Sequence, residues 1–213
     1  MIIDTHMHGS EYSLDSTVSM KKIISRAKKV GLDGVCITDH DTNEAIDEAK
    51  ELAKAEDYLV IVGAEILTYE GDMVVFGVKD IPKQRVHSLD LLNFVIKKGG
   101  VCISAHPYRL NNRGIGNFIR ELKGLHGIEV FNGSTDVYHN LKAYRLALEL
   151  GIPAFGASDC HAKERVGKYG TVFPNKIRDE KDFIEAIKLG DLYPAVYSKE
   201  GYKSLKSEDV FSI

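Results

Sequence analysis

The feature that most constrains this chain is an alternation. Short apolar runs rich in β-branched residues are each followed by an amphipathic stretch, and most of the runs end in histidine, aspartate or glutamate. The runs are Ile2-Ile3 and residues 34–38, 59–63, 101–104, 127–131 and 152–156. Between them, residues 19–30 predict a helix with Ile23, Ala27 and Val30 spaced by four and three, stopped at Gly31. Residues 42–56 predict a second helix with Thr42 as N-cap. Ser88 can cap a third, running to Lys98 with Leu89, Leu92 and Ile96 on one face. Further helices are expected near 118–122, over 134–150 (Val137, Leu141, Tyr144 and Leu148 in register) and over 179–189. Residues 66–78, broken by Glu70-Gly71-Asp72, predict a strand pair, and short strands are expected near 171–173 and 193–197. Strands alternating with helices at this spacing imply an α/β chain with a mostly parallel sheet. About seven βα units in one domain favour a closed or nearly closed barrel over an open, doubly wound sheet. One domain over 1–213 is expected, with its core at about 2–197 and a polar C-terminal tail.

Composition narrows the function classes. The charged fraction of 28% and net charge of -3 leave no basic footprint for nucleic acid and no polybasic patch for a membrane. No uncharged stretch approaches the ~20 residues a membrane helix needs, and no basic segment followed by a long apolar one opens the chain. Cys36 and Cys102 lie inside apolar runs and read as core residues of a reduced, cytoplasmic protein. There is no glycine-rich phosphate loop.

The polar residues at the ends of the apolar runs form one set. His6 and His8 alternate along the first strand and share a face. Asp39 and His40 follow the second run, Glu65 the third, and His106 the run at 101–104; Glu129 and Asn132 belong to the next, and Asp159 and His161 follow the last. In a βα barrel these ends meet at one face, where active sites sit. Five of the eight histidines fall at such positions; His87, His126 and His139 do not, and read as surface or helix residues. Histidines and carboxylates without thiolates suit zinc, manganese or iron, with carboxylates able to bridge two ions. Burying so many titratable groups without ions would be costly.

In their order, His6-x-His8, Asp15, Thr38-Asp39-His40, Gly63-Ala64-Glu65, Ala105-His106-Pro107 and Ser158-Asp159-Cys160-His161 resemble the motifs of the PHP (polymerase and histidinol phosphatase) family of metal-dependent phosphoesterases. The resemblance covers residues 2 to about 173. It implies a distorted (β/α)7, TIM-like barrel with its metal site at the C-terminal ends of the strands, and two or three divalent ions of zinc, manganese or iron. It assigns His6, His8, Glu65 and Asp159 to a first ion, Glu65 and His106 to a second, and Asp15, His40 and His161 to a third. Many members carry a further histidine on the strand after the bridging glutamate, where this chain reads Val74-Val75-Phe76-Gly77. The second ion would then turn to water, Glu129 or Asn132.

Other residues have two readings. Asp39 either orients a neighbouring ligand or carries a proton, or else caps the helix ahead of Thr42. Arg109 forks onto a phosphate or is a solvated charge, as are Arg165 and Lys168. Cys160, alternating with Asp159 and His161, reads as packing. The implied activity is hydrolysis of a small phosphorylated metabolite or nucleotide by metal-activated water, with Asp39, His40, Asp159 and His161 at the chemistry and Arg109 and Arg165 on the substrate. The competing expectations are a 3′–5′ exonuclease on short oligonucleotides and a non-catalytic metal-binding module.

Overall fold

The computed structural model describes residues 1–206; the end of the expected polar tail, 207–213, lies outside the described residues. Among the described residues the strands form two sheets and no closed barrel. In the first sheet β1 (Ile2–Met7), β2 (Gly34–Ile37) and β3 (Leu59–Val62) run parallel. Beyond β1 the order continues through β9 (Tyr169–Val172), β10 (Tyr193–Ser198) and β11 (Gly201–Ser204), all antiparallel to their neighbours. The second sheet has the order β4 (Ala64–Leu67), β5 (Asp72–Phe76), β6 (Val101–Ser104), β7 (Gly127–Asn132), β8 (Ala154–Ala157). There β5 is antiparallel to both β4 and β6, while β6, β7 and β8 are parallel. β11, at the start of the expected polar tail, pairs with β10; Tyr202 anchors it by donating to the carbonyl of Gly167.

One residue separates the sheets in sequence. Gly63 sits between β3 and β4, and a Cβ there would lie 2.5 Å from the Val75 carbonyl and 2.6 Å from the Phe76 ring. Across the seam the sheets meet in backbone pairs at the strand ends. Asp159 N donates to His6 O (2.9 Å) and His8 N to Cys160 O (3.2 Å). Glu65 N donates to Asp39 O (3.1 Å) and Asp41 N to Glu65 O (2.8 Å). Below this seam a core drawn from both sheets fills the space: Ile3, Cys36 and Ile61 from one, Val74, Phe76, Ile103 and Phe155 from the other. Phe183 of α5 (Glu180–Leu189) closes it, edge-on to Phe76 at 5.0 Å between ring centroids.

The helices lie where the alternation puts them, with shifted details. α1 (Met20–Val30) is capped by the Ser19 hydroxyl, which accepts from Lys22 N, and ends at Gly31 in the left-handed region. α2 (Ile46–Glu56) begins four residues later than Thr42 suggests. Thr42 spends its hydroxyl on Glu44 N, and Asn43 donates to the carbonyls of Val78 and Lys79, which holds this segment as a loop. α3 (Ser88–Lys97) buries Leu91, Leu92 and Val95 and leaves Leu89 and Ile96 exposed, so its inner face is rotated from the expected one; its N-cap is His87. The 118–122 segment is a 3-10 turn over Gly116–Glu121. α4 (Val137–Leu150) buries Asn140, Ala143, Tyr144 and Ala147, not Val137 or Leu148. Among the described residues no helix is long and apolar enough to cross a membrane.

Candidate metal centre

Glu65, on β4, is the middle of the site. It is buried, and each of its oxygens faces two imidazoles. Oε1 lies 2.8 Å from His106 Nε2 and 3.4 Å from His6 Nε2; Oε2 lies 2.7 Å from His40 Nδ1 and 3.6 Å from His8 Nε2. Burial opposes its charge, yet His6 and the hydrogen-bonding imidazoles of His106 and His40 hold its pKa well below the carboxylate range.

Around Glu65 the side chains fall into groups with ligand spacing. Bonds of about 2.1 Å in a tetrahedral site place ligand atoms about 3.4 Å apart. His8 Nε2 is 3.3 Å and His6 Nε2 3.8 Å from Asp159 Oδ1. These three atoms are buried and have no hydrogen-bond partner. Orphaned polar atoms converging in a dry site are what a cation would satisfy. His6 Nδ1 meets Glu129 Oε1 at 3.0 Å, an arrangement that fixes the ring and turns Nε2 inward. At the rim, Asp15 Oδ2, His40 Nε2 and His161 Nε2 are 3.2, 3.4 and 3.4 Å apart. His8 also joins His40 and His161 in a set with ligand spacing. His6, His106 and Asp159 form a further group, and Glu65, Asp72 and His106 another, with His106 Nε2 3.6 Å from Asp72 Oδ2.

The backbone bends to deliver these groups. His106 (φ 25°) and Asp159 (φ 47°) both lie in the left-handed region, which costs a side-chain-bearing residue energy and is concentrated at functional sites. Burial lowers the His8 pKa to about 4, while the carboxylates of Glu129, Glu65 and Asp159 overcome the same burial at His6 and raise it well above the ordinary value. Two imidazoles 5.0 Å apart are thereby driven in opposite directions.

His6, His8, His40, Glu65, His106, Asp159 and His161 all converge here, and Asp15 reaches the rim. Asp39 does not cap a helix. Its Oδ1 accepts from Gly9 N (2.8 Å) and Ser13 Oγ (2.7 Å), and Ser13 Oγ lies 3.4 Å from His8 Nδ1. Arg109 is not a free fork: it pairs with Asp159 Oδ2 and donates to Asn132 Oδ1 at 2.7 Å. Arg165 donates to Ser134 Oγ and Lys168 to the Gly133 carbonyl, both on the turn after β7. Glu129 and Asn132 are both engaged as supports; Asn132 Nδ2 donates to Glu129 Oε2 (2.9 Å) and Asp159 Oδ2 (3.1 Å). Cys160 is buried in the apolar cluster with Met7 and Ile37, and its thiol is pushed up by burial. His87 and His139 pair with Glu70 and Asp136, and His126 Nδ1 accepts from Cys102 N, all outside the site.

Two site residues escape the sequence reading, Asp72 and Arg113. Strand β5 is antiparallel, so its first residue, not its last, lies level with the ends of β4 and β6. The rule of reading the residue after each apolar run therefore passes over Asp72. The available signal was Gly71-Asp72 at the start of an apolar strand. Val74, one pleat further on, is packed in the core. Asp72 thus stands beside His106 as a further carboxylate of ligand spacing, while Glu129 and Asn132 are engaged with His6 and Asp159.

Comparisons with known proteins agree with this geometry. Residues 4–148 match the model of the PHP domain, and 137–192 that of a PHP-associated region. MJ1587, an uncharacterised protein of Methanocaldococcus jannaschii, is 33% identical over 167 residues, which span 73% of this chain and 96% of that one. A 63-residue stretch is 38% identical to the PolC-type DNA polymerase III of Clostridium perfringens, covering 30% of this chain and 4% of the polymerase. Among solved structures, a candidate metal-dependent phosphoesterase from Bifidobacterium adolescentis superposes with a TM-score of 0.66 at 19% identity, covering 88% of this chain and 96% of that one. An amidohydrolase from Chromobacterium violaceum with bound sulfate superposes at 0.67 and 18% identity, covering 87% and 96%. These two likenesses establish the fold.

Proposed function

Starting from a chain that belongs to the PHP domain family, we propose that it is a metal-dependent hydrolase, and more narrowly a phosphoesterase acting on a small phosphorylated metabolite or nucleotide. The observation that carries this is Glu65, whose two oxygens face four histidines with Asp159, Asp72 and Asp15 around them. His6, His8, Glu65 and Asp159 would hold a first ion, Glu65, Asp72 and His106 a second, and Asp15, His40 and His161 a third. Bound divalent ions supply Lewis acidity to phosphoryl oxygens and lower the pKa of coordinated water. Glu129 orients His6, and Asp39 acts through Ser13 on His8. Arg109 holds Asp159 in place, and its partly exposed guanidinium adds positive charge beside the site. Near the site the Ser13 hydroxyl is engaged with Asp39 and Cys160 faces the core, which supports water as the nucleophile. A distorted barrel is supported by the backbone pairs across the seam, which join β1 to β8 and β2 to β4 at this site.

Arg109 beside Asp159 and Arg113 beside Asp72 favour an anionic ester over an amide. The 63-residue stretch similar to the polymerase favours, as a second reading, a 3′–5′ exonuclease on short oligonucleotides. Asp72 beside His106 supports a catalytic site over a non-catalytic metal-binding module. Phosphate release from phosphomonoesters, nucleotides and short oligonucleotides with Mn²⁺ or Zn²⁺ is the test. Release that chelator stops and Asp159→Asn or His40→Ala abolishes is expected. Metal-bound protein silent on the whole panel would overturn the phosphoesterase reading.

A further inference from the structure

The loop between β6 and the 3-10 turn carries Arg113 into the metal site, and it is docked there. The Arg113 carbonyl accepts from Asp72 N at 2.8 Å. Gly71, with φ of 152°, leaves no room beside it: a Cβ would lie 2.5 Å from Ile115 N and 2.8 Å from Arg113 O. The backbone of this loop therefore rests directly on the strand start that supplies Asp72. The side chain continues inward. Its Nε lies 2.5 Å from Asp72 Oδ2, and its Nη2 lies 3.4 Å from His40 Nδ1 and 3.8 Å from Glu65 Oε2. It is 32% exposed, so one edge of the guanidinium faces the solvent from which a substrate arrives.

Asp72 is fully buried, and the oxygen it gives to Arg113, Oδ2, is the one that also faces His106 Nε2. A divalent ion on that oxygen would sit about 2.1 Å from it, no more than roughly 5 Å from the guanidinium nitrogen. Two positive centres that close, on one carboxylate shielded from water, repel strongly.

Resting on the metal-centre reading above, we propose that Arg113 is a built-in competitor for the Glu65–Asp72–His106 ion. It occupies Asp72 as an intramolecular cation, makes this ion the weakest of the set, and yields when a phosphoryl anion arrives to take the guanidinium. Ion and anion then bind cooperatively, because each removes part of the cost of the other. The second ion is thereby loaded together with substrate.

The test is calorimetric titration of the full chain with Mn²⁺, with bound metal counted by mass spectrometry, in the presence and absence of inorganic phosphate. In the wild type, phosphate is expected to tighten the weakest Mn²⁺ at least five-fold. Arg113→Gln is expected to tighten the same ion about ten-fold without phosphate and to abolish the phosphate effect. Arg113→Lys, which keeps a positive charge, is expected to stay within about two-fold of the wild type. Asp72→Asn should remove one ion and leave the others. Circular dichroism verifies that each variant is folded. Wild-type protein that binds Mn²⁺ while Arg113→Gln leaves the weakest ion unchanged or weaker would overturn this proposal alone. Wild-type protein that takes up neither Mn²⁺ nor Zn²⁺ would overturn the metal-centre reading and this one with it.

Discussion

At the scale of single residues, orientation matters as much as identity. His6 presents Nε2 inward because Glu129 holds Nδ1. Glu129→Gln should weaken metal binding by about 10–100-fold while the far-ultraviolet circular dichroism stays unchanged, which calorimetric titration of both proteins would show. Asp159→Asn acts more severely. It removes a charge that His6, His8 and Arg109 all face, so metal uptake and turnover should both be lost, as metal counting and a phosphate-release assay would reveal. The residues at the ends of parallel strands were legible in the sequence because each follows its apolar run. Asp72 precedes its run, and Arg113 comes from a polar loop with no periodicity. Each is brought in by tertiary structure: an antiparallel strand in one case, a loop docked on Gly71 in the other.

Elements were legible in order, β11 apart, and less so in which face they bury. α4 shows why. Its inner face carries Asn140, whose side chain accepts from Asn132 N and donates to the carbonyls of Asn132 and Thr135. A polar residue satisfied by its neighbours hides a buried face from any pattern built on apolar spacing. Val137 and Leu148, which complete the apolar pattern, are exposed instead. The hinge between β3 and β4 gives a sharper expectation. Gly63→Ala would drive a methyl into the Val75 carbonyl and the Phe76 ring, and should cost about 2–4 kcal/mol in urea unfolding, the range of overpacked cores and strained backbone together. Ser19→Ala, which loses only the cap of α1, should cost about 1 kcal/mol and leave activity intact.

Over the whole molecule, the ladders form two sheets, and the groups that could hold ions lie along the line where those sheets meet. The sequence alternation favours a closed or nearly closed barrel because it counts strands and cannot see where a ladder breaks. Here one break falls at Gly63, between β3 and β4. Loading with Mn²⁺ at about a hundred times its dissociation constant should stabilise the fold by about 2.7 kcal/mol and raise the melting temperature by roughly 5–10 °C, and chelator should reverse the shift in a thermal scan. The backbone pairs of Asp159 with His6 and of Glu65 with Asp39 belong to that same line. Chemistry and architecture therefore share one suture. A substitution there cannot be judged by catalysis alone, because whatever loosens the stitch for an ion also loosens the garment, and heritable variation in this protein has little freedom to tune the one without altering the other.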